Sequence, residues 1–144
     1  MDQYNLNRFI KAQLTTYDRA LMELSRGRKE SHWTWYIFPQ IEGLGRSDKA
    51  KLYSIKSLKE GKAYLEHLVL GPRIIHACEV LLNLKDKSMV EVMGFPDNLK
   101  LLSSMTLFEA VSDANSIFTE IIEVYFDDER DKSSLAIIDT RFAN

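Results

Sequence analysis

The chain has 144 residues and a mass of 16.7 kDa, enough for one domain with a sizeable core. Hydrophobic residues make up 45% and charged residues 28%, which excludes a disordered chain, and a net charge of −2 disfavours nucleic acid as the main partner. The single cysteine, Cys78, excludes an internal disulfide, and with no signal-like N-terminus and no apolar run of membrane length the expected setting is soluble and cytoplasmic.

In chain order, the spacing of Ile10, Leu14, Tyr17, Leu21 and Leu24 predicts an amphipathic helix over residues 5–25 with those residues on its inner face. Asn5 or Asn7 is placed to cap it, and Gly27 to end it in a left-handed conformation. Gly27 to Ser47 then breaks the helical period and holds both tryptophans. Pro39 biases Phe38 to an extended conformation, so residues 31–40 are expected as a helical turn or extended segment followed by a loop. Ser47 can cap a helix from about Asp48 to Leu58 with Leu52 and Ile55 inward, and Gly61 is expected to break it before Tyr64, Leu65 and Leu68. Pro72 suits a first helical position, followed by an apolar face of Ile74, Ile75, Cys78, Leu81 and Leu82. Ser88 and Glu91 have capping-box spacing in a short helix that Gly94 closes. Asp97 and Asp113 are candidate caps for two more helices, and a last short one is expected around Leu135–Ile138. About seven helices and no strand pair predict an all-α fold, a single helical domain over residues 1–144 with no significant sheet.

Two stretches hold residues that could carry chemistry. In Gly43-Leu44-Gly45-Arg46-Ser47, glycine backbone beside a helix start can bind an anion, with Arg46 adding charge; the alternative is a plain turn with Ser47 as cap. His32 is the acid–base candidate because its ordinary pKa is near neutrality; the alternative is a structural histidine. Trp33, Trp35 and Phe38 can stack on a flat ligand or simply fill the core, and Gln40 can hold its loop or read a ligand edge. In the second stretch, Asp97 to Phe108, Lys100, Ser103 and Ser104 share a helix face with Thr106 nearby. Hydroxyls beside a lysine form an anion clamp or a nucleophile with its base, or only help helices pack. No metal site or cofactor motif is legible, and Cys78 on an apolar face is expected in the core.

GRKESHWTWYIFPQIEGLGRS, LGPRIIHACEVLL and GFPDNLKLLSSMTLF together resemble the signatures of a family of small, mostly bacterial proteins of unknown function, some of them labelled calpastatin. The resemblance spans nearly the whole chain. It departs at Thr34, where methionine is expected, at Tyr36, where phenylalanine is expected, and at Leu68, where a proline often follows the histidine. It implies a mainly helical single domain and supplies no reaction. A calpain inhibitor of the calpastatin kind is a disordered chain, whereas this one is patterned to fold.

These residues lead to an expected pocket between 28–47 and 97–108 for a small phosphate-bearing, nucleotide-like ligand. Trp33, Trp35 and Phe38 would wall it, and Gly43, Gly45, Arg46 and Ser47 with Arg28, Lys29 or Lys100 would form its anion-binding rim. His32, Gln40, Ser103, Ser104 and Thr106 would supply polar contacts, with His32 as general acid or base and Ser103 or Ser104 as a supporting hydroxyl if the protein is an enzyme. The rival readings are a protein–protein interaction module and a purely structural role for both stretches. No membrane partner is expected, and a monomer is the default.

Overall fold

The computed structural model describes residues 2–141, and among them nine helices carry the fold. They are α1 (Asn7–Ser25), α2 (Thr34–Ile37), α3 (Asp48–Leu52), α4 (Leu58–Glu66), α5 (Leu70–Leu82), α6 (Met89–Met93), α7 (Asp97–Ala110), α8 (Ile117–Tyr125) and α9 (Lys132–Arg141). Among the described residues there is no strand, only an isolated parallel bridge between Ile41 and Ile55. No described helix is long and apolar enough to cross a membrane.

α7 is the central element: it packs against α2, α4, α6, α8 and α9 and buries Leu101 and every residue from Ser103 to Phe108. A helix covered on all sides loses the one-sided apolar stripe of a surface helix. α5 forms the second layer, packed against α1, α4 and α8. One continuous core of rings and aliphatic chains joins them, with Phe9 edge-on to Tyr64, and Tyr64 and Phe118 both against Phe108.

The helix starts and ends differ from expectation where polar side chains intervene. The buried residues of α1 are Phe9, Gln13, Ala20, Glu23 and Leu24, while Leu14, expected inward, is 76% exposed. Leu24 is buried and Ile10, Tyr17 and Leu21 pack partly buried against the core as expected, so the inner face departs from expectation at Leu14 and in taking in two polar residues, Gln13 and Glu23. α1 is capped not by Asn5 or Asn7 but by the Asp2 carboxylate, which accepts from Leu6 N at 2.7 Å and Asn7 N at 2.8 Å. Gly27, at φ +81°, ends it in a Schellman turn: Gly27 N donates to Leu24 O and Arg28 N to Glu23 O.

α3 stops at Leu52, which is exposed, and Ile55 enters the core beyond the helix through its bridge to Ile41. Gly61 lies inside α4, which Ser57 caps. Pro72 is the third residue of α5, Ile75 and Leu68 are exposed, and Ser116 rather than Asp113 caps α8. The Ser88–Glu91 capping box and the Gly94 stop of α6 are present as expected.

Candidate functional site

The aromatic stretch is positioned by one buried carboxylate. Glu23, in the last turn of α1, accepts from Glu30 N at 2.8 Å, Ser31 N at 2.9 Å, Ser31 Oγ at 2.6 Å and Trp33 Nε1 at 2.8 Å. Burial opposes its charge, but these four donors outweigh burial and lower its pKa to about 2. Trp33 is thereby drawn fully into the core beside Phe38, their ring centroids 6.2 Å apart. Neither ring can wall a pocket, because neither has an exposed face. Pro39 is buried with them, and Gln13 Nε2 donates to Tyr36 O at 2.7 Å, closing the segment onto α1 from the other side.

Trp35, in the single-turn α2, is the member of the group that reaches the surface. Lys49 Nζ of α3 and Lys100 Nζ of α7 lie over its ring, 5.3 and 5.2 Å from the centroid. The two stretches therefore meet at Trp35. Lys100 Nζ is also 3.3 Å from Asp97 Oδ1, whose other oxygen is 2.8 Å from Lys29 Nζ. Burial would raise the pKa of Asp97, but the Lys29 and Lys100 ammoniums hold it below the usual carboxylate value. Lys29 is fixed from three sides: it donates to Ser31 O at 2.6 Å, pairs with Asp97 and lies 5.2 Å from the Trp33 centroid, leaving its side chain 6% exposed. Asp97 is thus the first residue of α7 and the ionic bridge between the stretches, rather than a side-chain cap.

Around this cluster the remaining candidates divide. Gly43 has φ +109°, a conformation that favours glycine, and is exposed. Gly45 answers a packing need, since a Cβ there would sit 2.3 Å from the Ala50 methyl. Ser47 caps α3 by accepting from Ala50 N at 3.1 Å. Arg28, His32 and Arg46 are exposed and their side chains have no hydrogen bond or ion pair among the described residues. Gln40 acts through its backbone, its carbonyl accepting from Ile55 N at 2.8 Å.

The α7 hydroxyls face elsewhere. Ser103 Oγ is 3.1 Å from both Leu99 O and Asp131 Oδ2, and Thr106 Oγ1 donates to Leu102 O while accepting from Asp131 N. Asp131 in turn accepts from Ser134 N and Oγ at the start of α9, so this network ties α9 to α7. Ser104 is fully buried and its hydroxyl has no partner. No hydrogen bond joins His32 to either serine among the described residues, and Lys100 is engaged with Asp97 and Trp35 instead of a hydroxyl. Cavities of about 750 and 470 Å³ lie along residues 2–10, 52–60, 63 and 67, and neither draws on 28–47 or 97–108. No three described His, Cys, Asp or Glu residues cluster to hold a metal ion.

A family model described as a protein of unknown function, DUF1810, matches residues 3–138. The chain belongs to the DUF1810 family. A similar solved structure is that of the conserved hypothetical protein Rv1873 from Mycobacterium tuberculosis, 40% identical, covering 99% of each chain with a TM-score of 0.93. No curated protein matches. In this DUF1810 chain the residues that organise the surface, Glu23, Lys49, Asp97 and Asp131, are ones that sequence reasoning passed over or gave another role. Asp97 carried a legible signal, a carboxylate three residues before Lys100 at a helix start. Glu23 carried none, because its partners are backbone groups and an indole fixed only by the fold.

Proposed function

We propose that the surface centred on Trp35 binds a small phosphate-bearing ligand of nucleotide type. One observation carries this reading: two lysines from different helices, Lys49 and Lys100, converge on one partly buried indole. Lys49 has no carboxylate partner among the described residues, and neither has the nearby loop residue Arg46. On a chain of net charge −2, the unpaired Lys49 beside Lys100, which has to share Asp97 with Lys29, attracts an anion, with the indole offering apolar surface to a flat group. The reading is one of binding; His32, Ser103 and Ser104 are assigned no chemical step.

The test is a titration with pyrophosphate, ADP and ribose 5-phosphate, followed by tryptophan fluorescence and by melting temperature. Trp35 is the solvent-accessible reporter and Trp33 the buried reference. Binding that raises the melting temperature, and weakens about fivefold in Lys49→Ala for the loss of roughly 1 kcal/mol of screened attraction, supports the reading. No response at millimolar ligand refutes it. A protein-docking role is the second reading, favoured by Phe95, 75% exposed in the turn two residues before Asp97. A partner that docks on Phe95 would be lost in Phe95→Ser without any change in phosphate binding.

A further inference from the structure

The paired lysines Lys29 and Lys100 share Asp97 unequally. Lys29 is bound at 2.8 Å, is held by Ser31 O and Trp33 as well, and is almost completely covered. Lys100 is bound at a longer 3.3 Å, is 30% exposed, and at the same time lies over the Trp35 ring, a contact it can keep without Asp97. A buried ammonium without its counter-charge is costly, so Lys29 keeps Asp97 ionised and in place. Lys100 is free of that constraint. It can leave Asp97 without stranding the carboxylate, because Lys29 still neutralises it.

Resting on the anion-binding reading above, we infer that Asp97 is a built-in competitor for the ligand's phosphate, and that Lys100 is the group it withholds. The Asp97 carboxylate occupies one direction around the Lys100 ammonium, where a phosphate oxygen would otherwise bind. Ligand binding then consists of an exchange: Lys100 gives up a carboxylate oxygen and takes a phosphate oxygen, while Lys49, with no carboxylate to leave among the described residues, binds without exchange. The exchange favours a ligand whose charge exceeds that of a carboxylate. A doubly charged terminal phosphate qualifies, and a monocarboxylate gains nothing over Asp97 itself. Asp97 therefore sets both the affinity threshold and the discrimination of phosphates from carboxylates. Its low pKa keeps the competitor charged throughout the neutral range.

Isothermal titration of the full chain with inorganic pyrophosphate, and separately with acetate, tests the inference. Asp97→Asn is expected to bind pyrophosphate about fivefold more tightly and to gain measurable acetate binding. That variant strands Lys29 and raises the net charge by one, so Lys29→Met/Asp97→Asn is measured beside it, with the wild-type net charge and no buried unpaired ion. The double variant is expected to keep the tightening, because Lys100 is released in both. If wild type binds pyrophosphate and both variants bind it equally or more weakly, the competitor role is overturned while the anion site stands. If wild type and both variants fail to bind at millimolar pyrophosphate, the site itself is refuted and the inference with it.

Discussion

Glu23 is the residue on which the aromatic stretch should depend most. Glu23→Ala leaves two backbone N–H groups, a hydroxyl and the Trp33 indole N–H without their acceptor. At 1–3 kcal/mol per unpaired buried donor, with water relieving those nearest the surface, the expected loss is about 4 kcal/mol. That is a large share of the ~5–15 kcal/mol that holds a domain together. Glu23→Gln can keep its amide oxygen on Glu30 N, Ser31 N and Trp33 Nε1 and turn its NH₂ to Ser31 Oγ, which can accept. Only the charge assistance of these bonds is then lost, so about 1 kcal/mol is expected. The same contacts predict a pH dependence. The folded pKa of about 2 lies below the ordinary 4.5, so the stabilisation is fully present above pH 4.5 and is lost as pH falls through about 2. The gap amounts to at most about 3 kcal/mol. Urea unfolding followed by tryptophan fluorescence, at neutral pH and at intervals between pH 2 and 5, measures both effects. A Glu23→Ala loss below 1 kcal/mol would refute the reasoning. So would an acid-induced loss of the same size in Glu23→Gln, which has no carboxyl at that position to titrate.

Three other perturbations follow from close contacts. Gly45→Ala places a methyl 2.3 Å from that of Ala50, so α3 must shift and carry Lys49 off Trp35; weakened pyrophosphate binding is expected, with recovery in Gly45→Ala/Ala50→Gly, and no recovery would sink the steric account. Arg8→Met leaves the buried Glu60 carboxylate without its 2.7 Å partner and frees the carbonyls of Tyr4, Asn5, Leu52 and Ser54, for a loss of about 4 kcal/mol in denaturant unfolding. A milder effect than that of Glu60→Gln would contradict it. Burial raises the pKa of the Cys78 thiol, which lies 3.7 Å from Met105 Sδ in the core, so thiol reagents should label it only as fast as the protein unfolds. Fast labelling under native conditions would mean the core around α5 opens locally.

The fold class was legible because most helices announce themselves by apolar spacing and some by local caps such as Ser47 and Ser88, which act within three residues, whereas the caps Ser57 and Ser116 act at the same range but were passed over. The inner face of α1 was legible at Ile10, Tyr17, Leu21 and Leu24 but not at two other positions, because hydropathy assigns Leu14 to the core and Glu23 to water. The fold reverses both once four donors surround the carboxylate. The candidate site was legible as two stretches and not as a geometry. Trp33, Trp35 and Phe38 look alike in sequence, and only the bond from Trp33 Nε1 to Glu23 and the burial of Pro39 decide which rings turn inward. Ser103 and Thr106 look like partners of Lys100, yet the α9 cap at Asp131 claims them from the far end of the chain. Local spacing cannot contain that information, since Asp131 is 28 positions from Ser103.

Polar contacts run outward from the core in an alternating series: the Glu23 carboxylate on Ser31 and Trp33, the Lys29 ammonium on Ser31 O and Asp97, and the Asp97 carboxylate on Lys29 and Lys100. Every interior member is matched by an opposite charge or by hydrogen-bond donors, as burial demands. At the surface the alternation stops. Lys100 shares its carboxylate with Lys29, and Lys49 joins it over Trp35 with no anion of its own among the described residues. A series built only to hold the fold would gain from closing on a further carboxylate, which would relieve the repulsion between two ammoniums over one ring. Instead it ends on cations around an accessible indole. The buried half of the aromatic motif is thereby accounted for by structure alone, and the unbalanced charge that remains lies where an outside anion can reach it.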